Sequence, residues 1–298
     1  MKPPRVLLAV LVYNGRLFVP TCLRSAARLT GPGTGVDVLV LDDCSPEPGW
    51  SDELRALCAE LDLGYYRSPR NIGIPRNMNL ALLQAMEAGY DHVAVVNSDV
   101  VFPLNLADAL VATTQADPRI GSATAWSNDV SIYSLTSVAP ALTDGAEDLS
   151  GVRLDRLDTL SSTLQAEFGT ECLDIPTGVG FCLFMPVDAV RRVGLCDPVF
   201  GRGYCEEVDW CLRAAEAGYR NVLAPSAFMY HAGRGSTAST GMVEQGQTTV
   251  WANEKIVDLR HPGYRASIEA FLAGGSCDAL RRRAEECLVR EGARAHGY

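Results

Sequence analysis

The sequence predicts an α/β fold: a mostly parallel, Rossmann-like sheet flanked by helices on both faces, with a helical tail at the C-terminus. Three observations carry this. Short β-branched apolar runs alternate with stretches of helical spacing through residues 6–125. The runs are apolar throughout, as strands buried on both faces are. Several of them end in a polar cluster, and sheets of this kind bind ligands beyond the carboxyl ends of their strands.

Taken in order, residues 6–13 form the first buried strand and 17–29 a helix stopped by Gly31-Pro32-Gly33. Residues 36–41 are the second strand, closed by the acidic turn Asp42-Asp43-Cys44-Ser45. A helix over 51–61 leads to a short strand at 64–67. Residues 75–88 read as a helix with Pro75 in its first turn and Gly89 just past its end. The strand at 92–96 closes with Asn97-Ser98-Asp99, and a helix at 103–115 and a strand at 120–125 follow.

Residues 127–175 have no clean period and one helix, at 157–168. Such an insertion either shapes a substrate pocket on the acceptor side or is a plain surface excursion. From Thr177 a Gly-rich apolar run passes into a short helix and then a flexible Gly201-Arg202-Gly203 loop. That loop opens a helix beginning with Glu206, Glu207 and Asp209, and a strand-like segment then ends at His231. Thr-Ala-Ser-Thr-Gly after Ser236 reads as flexible, with helical stretches expected at 250–259 and 278–290. The organisation expected is a ligand-binding and catalytic domain over 1–235 and a C-terminal lid or tail segment over 236–298.

A chain of 298 residues has ample core for one large domain. A net charge of −10 argues against a broad nucleic-acid footprint. An anionic small substrate would need local Arg or Lys, a metal, or backbone N–H groups. The ten cysteines include no C-x-x-C pair, and Cys182, Cys196 and Cys211 sit inside apolar runs. Reduced, buried thiols of a cytoplasmic protein are expected, not a disulfide framework or a zinc site. The N-terminus lacks the length and cleavage site of a signal peptide. No segment approaches the roughly 18–20 apolar residues of a membrane span.

Four pieces could carry chemistry. The diacidic turn offers a carboxylate to a ribose hydroxyl or a base N–H, or else an Asx-turn and helix cap. Arg70 and Arg76 bring positive charge to a Gly-containing loop entering a helix, a natural phosphate site, although Arg on a helix face and Asn71 and Gly73 as turn residues are the plainer alternative. Asp99, just past a buried strand, suits a hard divalent cation bridging diphosphate oxygens, with His231 as an imidazole partner; a turn aspartate and a structural histidine are the plainer alternatives. Glu206 and Glu207 stand in a first helical turn, where the macrodipole favours acids, and one of them could serve as a general base. Being adjacent, they are expected to point apart, so that at most one faces a reacting centre. Asp209 pairs with Arg213 at i,i+4 and is assigned to structure.

In this order and spacing the four pieces resemble the family 2 glycosyltransferases of the GT-A fold, and within them the branch that includes rhamnosyl- and galactofuranosyltransferase-like enzymes. The likeness runs from Arg5 to about Ser236. It implies that Tyr13 and Asn14 line a nucleotide pocket, that Asp42, with Asp43 and Ser45 beside it, binds base and ribose, and that Asn71, Gly73 and Asn77 line the nucleotide site, with Arg76 added there from the reading of the loop itself. Asn97-Ser98-Asp99 stands where the family has its D-x-D-like signature, leaving Asp99 as a ligand of Mn²⁺ or Mg²⁺ and His231 to complete the shell. The family's Glu-Asp pair holds the base in its second residue. Here that residue is Glu207, one methylene longer, and Glu206 stays a rival. Trp210 replaces the usual Leu and either walls the acceptor pocket or packs.

The resemblance implies an inverting single displacement from a nucleoside-diphosphate sugar, with UDP or dTDP expected. The loop at 201–203 and the segment after Ser236 are candidate lids, and Trp126, residues 127–175 and the tail are expected around the acceptor. The acceptor classes expected are a saccharide, a natural product or a lipid-linked sugar, and the assembly is compatible with a homodimer. Two other readings compete. A sugar nucleotidyltransferase usually opens with a denser glycine loop than Tyr13-Asn14-Gly15-Arg16. A catalytically silent nucleotide- or sugar-binding protein would differ in turning nothing over. No G-x-G-x-x-G follows the first strand, which argues against dinucleotide binding.

Overall fold

The structure, a computed structural model, describes residues 3–145, 148–233, 243–244 and 247–295. Its first half follows the expected alternation: β1 (Val6–Val12), α1 (Val19–Ala27), β2 (Val36–Asp42), α2 (Trp50–Glu60), β3 (Gly64–Arg67), α3 (Ile74–Glu87) and β4 (His92–Asn97). After these come β5 (Val100–Val101), α4 (Leu106–Ala116) and β6 (Ile120–Trp126). β1 pairs in parallel with both β2 and β4, and β2 with β3.

The apolar runs look continuous because both faces of the sheet are covered. Val6, Leu8, Val10 and Val12 join the layer under α1, α2 and α4. Leu7 and Ala9, on the alternate face, join the layer under α3 and two later helices.

The second half contains α5 (Ala139–Leu142), α6 (Leu154–Phe168), β7 (Leu173–Asp174), β8 (Cys182–Pro186), α7 (Val187–Val193), α8 (Glu206–Glu216), β9 (Arg220–Phe228) and β10 (Tyr230–His231). The main sheet has eight strands in the order β3-β2-β1-β4-β8-β6-β9-β7. It is mixed: β8 runs antiparallel between β4 and β6, whereas β6 and β9 are parallel. α8 begins at Glu206, where the sequence places it.

Beyond a short antiparallel pair, β11 (Val243–Glu244) with β12 (Gln247–Thr248), the tail is helical: α9 (Thr249–Arg260), α10 (Tyr264–Gly274) and α11 (Ser276–Ala295). α11 buries Cys277, Leu280, Ala284 and Cys287, a stripe at helical spacing. α10 was not anticipated, and none of its residues is buried, so no apolar period marks it. No helix among the described residues is long and apolar enough to cross a membrane.

Two expectations need correction, and one open alternative is decided. The loop at 201–203 is not a free flap. The Ile74 N–H donates to the Arg202 carbonyl at 3.1 Å, and Asn253 Nδ2 donates to the carbonyls of Phe200, Gly203 and Tyr204 at 3.0, 2.6 and 3.0 Å. Gly73, with φ of 81°, sits so close that a Cβ there would lie 2.2 Å from the Gly201 carbonyl oxygen. Trp126 is fully buried at the end of β6 and walls no pocket. Trp210 is likewise buried and donates its Nε1–H to the Gly194 carbonyl at 2.9 Å, so it packs. The flexible stretch expected just after Ser236 lies outside the described residues.

Candidate active site

At the carboxyl edge of the parallel strands opens a cavity of about 350 Å³. Tyr13 reaches it from the end of β1, Asp43 from the end of β2, Asn77 from the first turn of α3, and Asn97, Ser98 and Asp99 from the end of β4. Glu206, Glu207 and His231 complete the set. Side chains far apart in sequence meet here because each occupies the same end of its element.

The backbone around the cavity is strained. Of the six non-glycine residues with positive φ among the described residues, Asn14, Cys44, Ser131, Tyr204 and Cys205 line the cavity or adjoin a residue that does. Tyr204 and Cys205, at φ of 72° and 71°, make consecutive left-handed steps. These turn the chain so that the N-terminus of α8 meets the cavity end-on.

Both Glu206 and Glu207 therefore line it, against the expectation that only one could. The end of a helix, unlike its side, lets successive residues open around one mouth. Glu206 is 5% exposed, and its Oε2 has no hydrogen-bond partner among the described residues. Burial, and then the neighbouring Glu207 charge, push its carboxyl well above the ordinary range. Burial raises Glu207 too, but the backbone N–H groups of Glu207, Val208 and Gly180 pull it back down. Two adjacent buried carboxyls oppose each other's ionisation, and those N–H groups favour charge on Glu207 over Glu206.

Asp99 and His231 face each other, with Oδ1 and Nε2 3.4 Å apart. His231 Nδ1 lies 2.8 Å from the Asp129 carbonyl, which only accepts, so Nδ1 carries a proton and Nε2 is the nitrogen turned to Asp99. Burial lowers the imidazole pKa, but the Asp99 carboxylate and Asp129 outweigh it and the net direction is up. β10 pairs with β5, setting His231 opposite Val100, which brings the ring beside Asp99.

Among the described residues, five carboxylates and one imidazole line the cavity and no Lys or Arg does. Among the described residues, a phosphate in this cavity would be met by a cation or by backbone N–H groups. A carboxylate beside an imidazole oriented in this way fits a hard divalent cation, which the ring would bind through a deprotonated Nε2. No cluster of three or more His, Cys, Asp or Glu side chains placed to hold a metal occurs among the described residues.

The remaining sequence candidates fall elsewhere. Asp42 is fully buried and saturated: Oδ1 accepts from Ser45 N–H and Oγ–H at 2.8 and 2.7 Å, Oδ2 from Ser51 Oγ–H and Tyr65 O–H at 2.9 and 3.0 Å, and Arg67 Nε lies 3.2 Å away. It holds the turn together and does not line the cavity. Asp43 does line it, while accepting from the Ile72 and Gly73 N–H groups at 2.7 and 2.9 Å. Asn14 bonds through its backbone, to Ser45 Oγ at 2.8 Å and Trp50 Nε1 at 3.1 Å, and adjoins the cavity without lining it. Asn71 and Arg76 are exposed outside the cavity, and Gly73 packs against the 201–203 loop. Arg16 turns away to Glu47 and Glu53, at 2.6 and 3.0 Å.

Sequence reasoning missed Tyr204, Gly180 and Phe181, which also line the cavity. A left-handed tyrosine leaves no mark in composition, and Gly180 and Phe181 belong to an apolar run whose pairing is non-local.

The fold has known relatives. A family model described as glycosyl transferase family 2 matches residues 8–192. No curated protein matches the chain. The fold superposes on GalNAc-T7, solved with UDP, GalNAc and Mn²⁺, with a TM-score of 0.57 at 14% identity over 76% of this chain and 44% of that one. It superposes on the mannosyltransferase PcManGT from Pyrobaculum calidifontis, solved with GDP-Man and Mn²⁺, with a TM-score of 0.56 at 18% identity over 99% of this chain and 81% of that one. For S. aureus TarS 1-349 in complex with UDP the TM-score is 0.53 at 17% identity, over 76% and 60%. This chain thus spans less than half of the GalNAc-T7 chain, and identities this low establish a shared fold.

Proposed function

The chain belongs to glycosyl transferase family 2, and on that premise we propose that it moves a hexosyl or deoxyhexosyl group from a nucleoside-diphosphate donor to an acceptor hydroxyl, with inversion. The observation that carries this reading is the placing of the partly unpaired Glu207 carboxyl in the same cavity as the Asp99–His231 pair. That gives one base for the nucleophile and one ligand set for the leaving group's cation.

Glu207 takes the proton of the acceptor hydroxyl as its oxygen attacks the anomeric carbon from the face opposite the diphosphate. Glu206, neutral beside it, offers an O–H to an oxygen at the mouth. Asp99 and His231 hold Mn²⁺ or Mg²⁺, which, when bound, neutralises charge on the departing diphosphate. Tyr13, Asp43, Asn77, Asn97 and Ser98 line the donor's side. UDP and dTDP are the nucleotides proposed first; solved proteins of this fold hold UDP or GDP-Man. A saccharide, natural product or lipid-linked sugar is proposed as acceptor, residues 1–235 as the catalytic domain, 236–298 as its tail, and the cytoplasm as its location.

The test is nucleoside-diphosphate release from UDP-, dTDP- and GDP-sugars with Mn²⁺, by the native chain and Glu207→Gln. Release by the native chain, lost in a Glu207→Gln protein that still binds the nucleotide, is expected. Nucleotide binding without release from any donor, with or without added acceptor sugars, would favour a silent binding protein.

A further inference from the structure

His231 is held from the side opposite β5 by the first residues past β6. Asn128 Nδ2 donates to the His231 carbonyl at 2.8 Å, and Asn128 Oδ1 accepts from the His231 N–H at 2.8 Å. One carboxamide thus meets both backbone groups of a single residue, as a neighbouring strand would. The amide orientation is fixed, because the N–H needs an acceptor and the carbonyl a donor. The next residue, Asp129, takes the imidazole Nδ1–H on its carbonyl at 2.8 Å. On the other flank His231 pairs with Val100, and the Ala232 N–H donates to the Asp99 carbonyl at 2.9 Å.

β10 is only two residues long and pairs with the equally short β5. A ladder of that length does not by itself fix a peptide plane, and hence the direction of the Cα–Cβ bond that carries the imidazole. Asn128 supplies the missing edge. It is 8% exposed and does not line the cavity, so it reaches neither cation nor substrate.

We infer that Asn128 is a positioning residue for the cation site: by clasping the backbone of His231 it aims the imidazole beside Asp99 and sets cation affinity without touching the cation. The inference rests on the reading of Asp99 and His231 as cation ligands. It gives the start of the 127–175 insertion a task on the donor side, where the sequence had suggested only the acceptor. Partners of this kind, one shell away from a metal, change its affinity by about 10–100-fold when removed.

The experiment is Mn²⁺ titration of the full chain, alone and with UDP, with free Mn²⁺ read by electron paramagnetic resonance. The proteins are the native chain, Asn128→Ala, Asn128→Asp, Asp99→Ala and His231→Ala, each checked for folding by circular dichroism. Asn128→Ala is expected to weaken Mn²⁺ binding about 10-fold or more. Asn128→Asp separates positioning from charge. Its extra negative charge would tighten Mn²⁺ by simple attraction, but it turns a carboxylate oxygen on the His231 carbonyl, so positioning predicts weaker binding. It also carries the test if Asn128→Ala does not fold. Native-like or tighter Mn²⁺ binding by a folded Asn128 variant, with binding lost in Asp99→Ala, overturns the inference. Native-like binding by both Asp99→Ala and His231→Ala overturns the cation-site reading itself.

Discussion

Glu206 and Glu207 are consecutive, yet both turn into one cavity, with three backbone N–H groups serving Glu207 and only its own serving Glu206. A pair so placed cannot ionise twice in a dry site. In the proposed mechanism, that asymmetry of donors selects Glu207 as the base and Glu206 as its neutral neighbour.

Glu207→Gln is therefore expected to lower kcat by about 10²–10⁴-fold with nucleotide affinity kept. Glu206→Gln, which imitates the neutral acid, should stay within about 10-fold of the native rate. Steady-state kinetics on both variants checks this, and equal losses would contradict the assignment.

The same asymmetry has a stability signature. Glu206 has a folded pKa well above its ordinary value of 4.5. A raised acid favours the folded state while both states are protonated, and that advantage is lost as pH rises through the folded pKa. From pH 4.5 upward, Glu206→Gln should gain on the native protein by about 1.4 kcal/mol per pH unit, levelling off at the folded pKa. Urea denaturation across that range measures it, and a difference independent of pH would contradict it.

Asp42 is expected to matter for folding more than for ligand binding. Asp42→Ala strands the Ser45 donors, takes an acceptor from Ser51 and Tyr65 and removes the charge partner of Arg67, and should cost about 3 kcal/mol. Urea denaturation gives the loss, and calorimetry on the folded variant should find nucleotide affinity close to native.

Why Asp42 and Asp43 exchange roles relative to the sequence reading is a matter of strand geometry. At the end of β2 successive side chains leave on opposite sides, so only one acid of an adjacent pair can face the cavity, and spacing alone does not say which. What was legible was everything local. Apolar runs gave the strands, polar clusters at their carboxyl ends gave Tyr13, Asp43 and Asp99, and paired acids gave the start of α8. What was not legible depended on distant pairing: the antiparallel β8, the left-handed Tyr204–Cys205 step, and the grip of Asn128 on His231. Asn71 and Arg76 carried a motif's residue types but face away from the cavity.

Gly73→Ala should loosen the site without touching it. A Cβ at φ of 81° would lie 2.2 Å from the Gly201 carbonyl oxygen, so the loop carrying Tyr204 must shift. A loss of about 1–3 kcal/mol in urea denaturation is expected, with a reduced kcat. An unchanged melting midpoint would show that the contact relaxes freely.

The most direct measurement is thermal stabilisation by UDP, dTDP, GDP and CMP, each with and without Mn²⁺, on the native chain and on Asp99→Ala. Ligands that bind only the folded state raise the melting point by mass action. A shift for one diphosphate that requires both Mn²⁺ and Asp99 is predicted, and it would name the donor's nucleotide. No shift with any nucleotide, or a shift indifferent to Mn²⁺ and to Asp99→Ala, would contradict a cation-assisted nucleotide-sugar site in this cavity.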